Sequence, residues 1–284
     1  MVYYYAYSGH KVGLERVKRA TAILKRLKSE GVEVCLLVND FRAGLAAREF
    51  GINAYITIET ILDIDAVAEA EDTIIIDSSE AYQGKIAHYC THFKQVFRMP
   101  ESSSDRAYDK EHIIDIFSID EASLALVIDH TYFEITPKQE RTLFFLDDMD
   151  HDKCILSQEE FFNSVEMELL LGHYFFVKYE TALSKLFTHL HEPEEYTTAI
   201  KESMRVVTSS TQTALEACAS GARVVYLDLK RETLYPLTLL EAYGIVIVEG
   251  FDLKGLRDAL NMEQSLPIKP LKSVDNALLT SLLA

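Results

Sequence analysis

Residues 205–227 read RVVTSSTQTALEACASGARVVYL. The segment opens with a short β-branched run, which is typical of a strand, and a helical pattern over 211–220 follows it. Gly221 ends the predicted helix, and an apolar run over 223–227 predicts a second strand. A strand, a helix and a strand in such close succession are typical of one βαβ unit in a parallel sheet.

The same alternation of strand and helix extends along the rest of the chain. One series of elements runs from residue 2 to a last strand predicted over 124–129, and a second series begins at residue 142. The segment 135–141 contains Pro137 and reads as a linker. The sequence therefore predicts an α/β protein of two Rossmann-like doubly wound domains facing a cleft, with boundaries at 1–136 and 137–284. A tail helix is predicted over 273–283 in the second domain.

Charge and composition exclude several classes of protein. The 284 residues include 45 acidic and 28 basic side chains, and the resulting formal charge of −17 argues against nucleic-acid binding. Seven basic residues nevertheless fall within 11–28, where weak peripheral contact with an anionic membrane is the alternative to a solvated helix face. The four cysteines form no CxxC pair, so neither a zinc site nor a disulfide framework is indicated. Without a signal peptide or a long apolar run, the protein is expected to be cytoplasmic.

The turn after the first predicted strand is the first candidate site. Gly9 lets the backbone approach a ligand there, and His10 follows it at the carboxyl edge of the sheet. An imidazole with an ordinary pKa near 6.5 suits general-base catalysis, although a lone surface histidine is the simpler interpretation. Asp77 and Asp129 end predicted strands of the same domain, so each is a candidate catalytic carboxylate or, alternatively, a helix cap.

The hydroxyl-rich turn after the strand at 205–208 is the second candidate site. A diphosphate could bind to its side chains and to the amides of the following helix, and the candidate residues there are Ser209, Ser210, Thr211 and Gln212. Glu216, one turn into the helix, could accept hydrogen bonds from two ribose hydroxyls. The alternative is an ordinary N-cap serine with a surface glutamate.

This second site carries a family resemblance. Residues 208–227 resemble the C-terminal-domain motif of GT-B-fold nucleotide-sugar enzymes, and HEPEEYTTAIKESMRVV at 191–207 is similar to the stretch that leads into that motif. The SGH turn at 8–10 is similar to the Gly-His turn of the same group. The group includes lipid II synthase-type glycosyltransferases and the UDP-sugar hydrolase of pseudaminic acid biosynthesis.

The resemblance implies a glycosyltransferase of bacterial surface-glycan biosynthesis. It implies a nucleotide-sugar donor, most simply a UDP-sugar, in the second domain and a glycan or lipid-linked acceptor in the first. His10 would act as the general base or orient the attacking group, and no cofactor would be required. A nucleotide-sugar hydrolase is the first alternative. A nucleotide-sugar-binding protein that has lost activity is the second.

An acidic loop at 147–152 departs from the family pattern, because a glycine-rich turn is usual at this point. Its carboxylates would repel a diphosphate unless a divalent cation intervened, or unless the loop lies away from the donor. The spacing is that of positions 1, 3, 5 and 12 of an EF-hand, which makes the candidate metal ligands Asp148, Asp150, Asp152 and Glu159. Lys153 replaces the glycine of that motif, so a solvated acidic loop is the alternative.

The elements after this loop are predicted from a capping pattern. Ser157 and Glu160 have the spacing of a capping box, which predicts a helix over 159–171. A strand is then predicted over 174–178.

Overall fold

A computed structural model describes residues 1–81, 83–114, 116, 117, 127–262 and 271. The chain forms two compact units, which divide between Asp129 and His130. The division therefore falls a little before the predicted boundary at residue 136. The predicted tail helix over 273–283 lies outside the described residues, as does most of the strand predicted over 124–129. Residues 127–129, which are described, have no strand conformation.

The first unit is built on a parallel sheet of six strands. The strands are β1 (Val2–Ala6), β2 (Val34–Val38), β3 (Tyr55–Thr57), β4 (Thr73–Asp77), β5 (Gln95–Arg98) and β6 (His112–Ile113). Their order in the sheet is β3-β2-β1-β4-β5-β6. All five residues of β1 are buried, as a central strand with helices on both faces requires. Its tyrosines remain compatible with burial because the hydroxyls of Tyr4 and Tyr5 donate to the carboxylates of Asp77 and Glu80.

Helices connect the first five of these strands. They are α1 (Glu15–Ser29), α2 (Phe41–Glu49) and α3 (Gln83–His92), with a 3₁₀ helix at Ile61–Ala66. Apolar residues of α1 recur at helical spacing and are buried, among them Val17, Leu24 and Leu27.

The second unit repeats the same plan. Its strands are β7 (Gln139–Phe145), β8 (Glu168–Leu170), β9 (Leu190–His191), β10 (Ser203–Thr208), β11 (Arg223–Asp228) and β12 (Val246–Glu249). They pair in parallel in the order β12-β11-β10-β7-β8-β9. The helices are α4 (Cys154–Ser157), α5 (Glu159–Asn163), α6 (Val177–Leu183), α7 (Tyr196–Glu202), α8 (Thr211–Ala219), α9 (Leu237–Ala242) and α10 (Leu253–Asn261). Two 3₁₀ helices lie at His130–Phe133 and Pro193–Glu195.

The bounds predicted for the helix over 159–171 and for the strand over 174–178 are wrong. The helix ends at Asn163, β8 lies inside the predicted helix, and α6 begins at Val177 within the predicted strand. The reason lies in the side chains that enter the core. Met167, Leu169 and Leu171 alternate into the apolar core of the second unit, which is strand spacing. Tyr179 and Leu183 enter the same core four residues apart, which is helix spacing.

Each sheet reverses its winding between its first and fourth strands in chain order. In the first unit this point lies between β1 and β4, and in the second it lies between β7 and β10. Ligands of doubly wound proteins bind in the crevice at the carboxyl ends of such strands.

The predicted fold class, two Rossmann-like α/β units, is confirmed. Among the described residues no helix is long and apolar enough to cross a membrane.

Candidate functional sites at the two sheet edges

The turn that carries His10 is rigidly built at the carboxyl end of β1. Gly9 and Gly13 have φ angles of 150° and 78°, and the Gly13 N–H donates to the Gly9 carbonyl at 2.8 Å. Asn39, at the end of β2, accepts from the Ser8 N–H at 2.8 Å and donates to the Ser8 carbonyl at 2.9 Å. His10 itself is exposed, and its ring makes no hydrogen bond within the described part of the chain. The turn therefore presents an accessible imidazole on a fixed backbone.

Asp77 lies at the same sheet edge but is not available for catalysis. Its carboxylate accepts hydrogen bonds from Nε of Arg19 at 2.5 Å and from Nη2 of the same residue. It also accepts one from the Tyr4 hydroxyl at 2.9 Å. Arg16 adds an ion pair at 3.3 Å. The residue is 1% exposed. The predicted catalytic role of Asp77 is therefore corrected to a structural one, since its oxygens are occupied by buried partners.

Asp129 lies far from the His10 turn. Its carboxylate pairs with Lys25, and the carbonyl of neighbouring Ile128 accepts from Arg26 at 3.1 Å. Both basic residues belong to the last part of α1, about 15 Å from its first turn at about 1.5 Å per residue. Because α1 starts at the carboxyl edge of the sheet and runs back, Asp129 sits towards the opposite edge. The prediction of Asp129 as a catalytic carboxylate at the His10 edge is therefore wrong.

The basic segment at 11–28 is not a solvated stripe. Lys18, Arg19 and Arg26 are buried, and burial lowers the pKa of Arg26 although Asp129 opposes that shift. The expected solvated face is thus smaller than the sequence suggests, because three of the seven basic residues are buried inside the unit.

In the second unit, the hydroxyl-rich turn follows β10 and opens α8. Ser209, which is half-buried, donates from Oγ to the Leu146 carbonyl at 2.5 Å and so ties this turn to the end of β7. Ser210 is the N-cap of α8, since its hydroxyl accepts from the Thr213 N–H at 3.2 Å. Thr211 and Gln212 are buried. The turn stands at the reversal point of the sheet.

Glu216 belongs to a buried hydrogen-bond network. One carboxylate oxygen accepts from Gln212 Nε2 at 2.8 Å and the other from the Tyr196 hydroxyl at 2.6 Å. The Tyr235 hydroxyl in turn donates to Gln212 Oε1 at 2.8 Å. Burial, reinforced by the Glu216 carboxylate, raises the pKa of Tyr196 well above its usual range.

This network corrects the expectation that Glu216 faces a ribose. The residue is 2% exposed, and both oxygens already accept from protein side chains. The residues that complete the network, Tyr196 and Tyr235, are not distinguishable in the sequence from ordinary core aromatics.

Two carboxylates of the acidic loop after β7 are buried and hydrogen-bonded. Asp150 is buried and accepts from the Cys154 and Ile155 N–H groups at 2.8 and 3.1 Å, so it caps α4, and it also accepts from the Tyr179 hydroxyl. Asp148 is fully buried and lies 2.8 Å from His173.

The remaining predicted metal ligands, Asp152 and Glu159, are exposed. Nowhere in the described ranges do three or more His, Cys, Asp or Glu side chains form a group that could hold a metal ion. The four predicted ligands are therefore not brought together, because Asp148 and Asp150 turn inward as structural acceptors.

His173 is a candidate functional residue that the sequence reasoning missed. It follows β8 directly after Gly172, and its Nδ1 lies 2.8 Å from Asp148 Oδ1. A Cβ on Gly172 would meet the Asp147 carbonyl oxygen at 2.6 Å, so only glycine permits this approach of the two turns. The Gly-His pair after an apolar run was a usable signal, but the predicted helix over 159–171 concealed the strand that precedes it.

No protein-family model matches the sequence, and no curated protein matches it. Solved structures do share its fold. The UDP-GlcNAc 2-epimerase of Methanocaldococcus jannaschii, in complex with UDP-GlcNAc and UDP, is 12% identical with a TM-score of 0.56, covering 100% of this chain and 99% of the epimerase. The Neisseria meningitidis UDP-GlcNAc 2-epimerase bound to UDP-GlcNAc is 14% identical with a TM-score of 0.51, covering 100% and 99%.

A glycosyltransferase shares the fold as well. The Escherichia coli heptosyltransferase WaaC with ADP is 12% identical with a TM-score of 0.52, covering 90% of this chain and 95% of the transferase. The expected resemblance in fold to GT-B nucleotide-sugar enzymes is therefore confirmed.

Proposed function

We propose that this protein binds a nucleotide-diphosphate sugar on its second unit and transfers the sugar to an acceptor hydroxyl. The observation that carries the proposal is the fold likeness to enzymes holding UDP-GlcNAc, UDP or ADP, which extends over nine-tenths or more of the chain. Two of these three structures contain UDP-GlcNAc, so the donor we propose is a UDP-sugar. The acceptor we propose is a glycan or lipid-linked molecule of surface-glycan biosynthesis.

The arrangement of the second unit supports a diphosphate at the reversal point of its sheet. The N-terminus of α8 lies there, and helix N-termini attract anions through their N–H groups and dipole. The carboxylates of Asp148 and Asp150, which would repel a diphosphate if they faced it, are buried and hydrogen-bonded. These two carboxylates therefore do not lie on the surface that a diphosphate would contact, whereas Asp152 remains exposed.

His10 is the residue we propose as the general base. Of the three predicted catalytic residues, it alone is exposed, whereas Asp77 and Asp129 are held in ion pairs. In the proposed reaction His10 accepts the proton of the acceptor hydroxyl as that oxygen bonds to the anomeric carbon. The bond from that carbon to the diphosphate breaks, and its electron pair stays on the diphosphate oxygen.

Binding is tested first, by thermal unfolding with UDP, GDP, CMP, dTDP and ADP. A nucleotide at 100 times its Kd should stabilise the protein by about 2.7 kcal/mol. Failure of every nucleotide to raise the unfolding temperature would overturn the proposed function. Binding without turnover of any nucleotide-sugar would instead support a binding protein that has lost activity.

Turnover is tested by incubating the protein with UDP-GlcNAc, with and without candidate acceptors, and following UDP release and the sugar product. Transfer predicts UDP release only with an acceptor, and its persistence in EDTA is expected if no cofactor is required. Rapid release of UDP and free sugar without acceptor would support the hydrolase alternative. Inversion at C2 of the sugar would support an epimerase, the activity named for two of the neighbouring structures.

The role of His10 is tested with His10→Ala. Loss of a general base should lower kcat by about 10²-fold or more while UDP affinity stays unchanged. His92→Ala removes another exposed imidazole of the same unit and should leave kcat unchanged. Equal activity in both variants would remove His10 from the mechanism.

A further inference from the structure

One arginine of the first unit is largely buried without hydrogen-bond acceptors. Arg16 lies in the first turn of α1, at the carboxyl edge of the sheet and shortly after His10. Its side chain keeps 17% of its surface exposed, and its Nε is buried without a hydrogen-bond partner. Within the described part of the chain, none of its guanidinium N–H groups donates a hydrogen bond.

We propose that Arg16 binds an anionic group of the acceptor, either a phosphate or a carboxylate. The inference deepens the proposed function and rests on it for the identity of the ligand as the acceptor. The anion site itself is a property of the first unit, which also carries His10, the proposed general base. The proposal narrows the acceptor from any compound with a hydroxyl to one that also carries negative charge.

The Asp77 carboxylate does not satisfy Arg16. Its oxygens accept hydrogen bonds from Arg19 and from the Tyr4 hydroxyl. Arg16 Nε only approaches Asp77 Oδ1, at 3.3 Å, without forming a hydrogen bond. A charged group removed from water is costly unless hydrogen bonds compensate it. An anion taken from solution would supply the acceptors that Arg16 lacks.

Arg98 shows how the same unit holds an arginine that has a structural role. It is fully buried, and its guanidinium donates to Glu111, to both oxygens of Asp105 and to the Arg106 carbonyl. Arg16 has no such set of acceptors, although most of its surface is buried too. The planar fork of a guanidinium matches the paired oxygens of a phosphate or a carboxylate, and this match gives the class of the ligand.

Glu101, in the loop after β5, supplies a second observation at this site. Within the described residues its carboxylate forms neither a hydrogen bond nor an ion pair. Partial burial raises the pKa of this carboxyl group, and the charge of Arg16 is the largest influence that opposes the shift. The two side chains therefore interact electrostatically without direct contact. Glu101 leaves the guanidinium open, and it competes with an incoming anion for the charge of Arg16.

The test measures the affinities of inorganic phosphate and acetate by ligand-observed NMR at low ionic strength, in wild type and Arg16→Gln. UDP is added in excess so that the proposed nucleotide site is filled. We expect the Kd of at least one anion to rise about tenfold or more in Arg16→Gln, and the larger rise identifies the preferred group. Lys28→Gln removes an exposed charge near the other end of α1 and should change both Kd values by less than about twofold.

Glu101→Gln gives a readout in the opposite direction. It removes the negative charge that competes for Arg16, so the Kd of the preferred anion should fall by about twofold or more. A substitution that only disturbed the fold would weaken binding instead of strengthening it. This variant therefore keeps the proposal testable even if Arg16→Gln unfolds the first unit.

The outcomes separate this inference from the proposed function. Wild type that binds neither anion, or an unchanged affinity in Arg16→Gln, overturns the inference and leaves nucleotide binding untouched. Anion binding that depends on Arg16 in a protein that binds no nucleotide overturns the proposed function, and with it the assignment of the anion to an acceptor. An unchanged or higher Kd in Glu101→Gln overturns the placement of the anion at Arg16.

Discussion

Several buried ionised side chains of the first unit are held by partners of opposite charge. Asp77 is the clearest case, since Arg19, Arg16 and Tyr4 all direct polar groups at one carboxylate. Removing one charge of such a pair leaves the other buried and uncompensated, which is more costly than the net worth of the pair itself.

We therefore expect Asp77→Asn to destabilise the protein by about 3–5 kcal/mol, because Arg19 would remain buried without its carboxylate. Urea unfolding measures this change. Asp152→Asn is the matched control: this carboxylate is 71% exposed, and its loss should cost no more than about 0.5 kcal/mol. Equal stability of the two variants would contradict the structural role assigned to Asp77.

Lys138 carries a second prediction at this scale. Its Nζ donates to the Lys201 carbonyl at 2.7 Å and to Ser220 Oγ at 3.2 Å, and burial, with the charge of Lys201 added, lowers the pKa of Lys138 to about 8. Between about 8 and its ordinary value of 10.5, the unfolded chain binds more protons here than the folded chain. Stability from this group therefore rises with pH across that window and is lowest below it.

The measurement compares wild type with Lys138→Met from pH 7 to 10.5. The stability of wild type relative to the variant should increase by about 1–2 kcal/mol, an amplitude already reduced for a side chain that keeps contact with solvent. Lys28→Met, at an exposed position, controls for the loss of a surface charge. A relative stability that falls as pH rises would contradict the lowered pKa.

At this scale the sequence predicted the kind of residue more reliably than its role. That Gly9 and His10 form a ligand-accessible turn follows from local chain chemistry. The burial of Asp77 depends on Arg19 and Tyr4, which are distant from it in the sequence. The burial of Glu216 depends on Tyr196 from another helix as well as on Gln212 one turn before it.

Helices and turns of the second unit supply two more predictions. The first concerns helix capping. Ser210 caps α8, whereas Ser157, which the sequence predicts as a cap, donates back to the Cys154 carbonyl and caps nothing.

Ser210→Ala should consequently cost about 1–2 kcal/mol, because a buried helix loses its N-cap hydrogen bond and Thr213 loses a partner. Ser157→Ala should change stability by less than about 0.5 kcal/mol. Thermal or urea unfolding compares the two. A larger loss in Ser157→Ala would restore the predicted capping box.

The second concerns the close approach of the turns after β7 and β8. Gly172→Ala should destabilise by about 1–3 kcal/mol, because its Cβ would lie 2.6 Å from backbone atoms that cannot move aside cheaply. Gly84→Ala in α3 is the control, since nothing lies within 4 Å of the new Cβ and alanine favours a helix by up to about 1 kcal/mol. Equal destabilisation by both changes would contradict the tight contact.

Element type was predictable where a periodic pattern was long and the turn residues were clear. The segment 205–227 gave β10, α8 and β11 close to their observed bounds. The prediction failed between 159 and 178, because a short apolar run is compatible with either a strand or a helix. Only its packing in the core determines which of the two forms.

The molecule as a whole has a net charge of −17, and several of its basic residues are buried inside the first unit. Within the basic segment 11–28, Lys18, Arg19 and Arg26 are buried, while Arg16 and Lys25 pair with carboxylates. Exposed Lys11 and Lys28 stand near opposite ends of α1.

We therefore expect no binding to vesicles of phosphatidylserine and phosphatidylcholine at about 0.15 M salt, because each accessible basic residue contributes only about 1 kcal/mol at an anionic surface. Vesicle sedimentation tests this, with pure phosphatidylcholine as the control. Selective sedimentation with the anionic vesicles would revive the membrane-facing interpretation of this helix.

The sequence by itself determined the two doubly wound α/β units, the location of the hydroxyl-rich turn and the Gly-His turn, and the acidic net charge. These follow from local periodicity, turn residues and composition, which act over a few residues or over the chain as a sum. Only the tertiary structure decided which charges are available. It buried Asp77, Asp148 and Glu216, each with at least one partner from another element, and placed His173 beside an aspartate of the turn after β7. The physical reason is that the role of a charged side chain depends on its burial and on its neighbours in space, and neither is set by its neighbours in the chain.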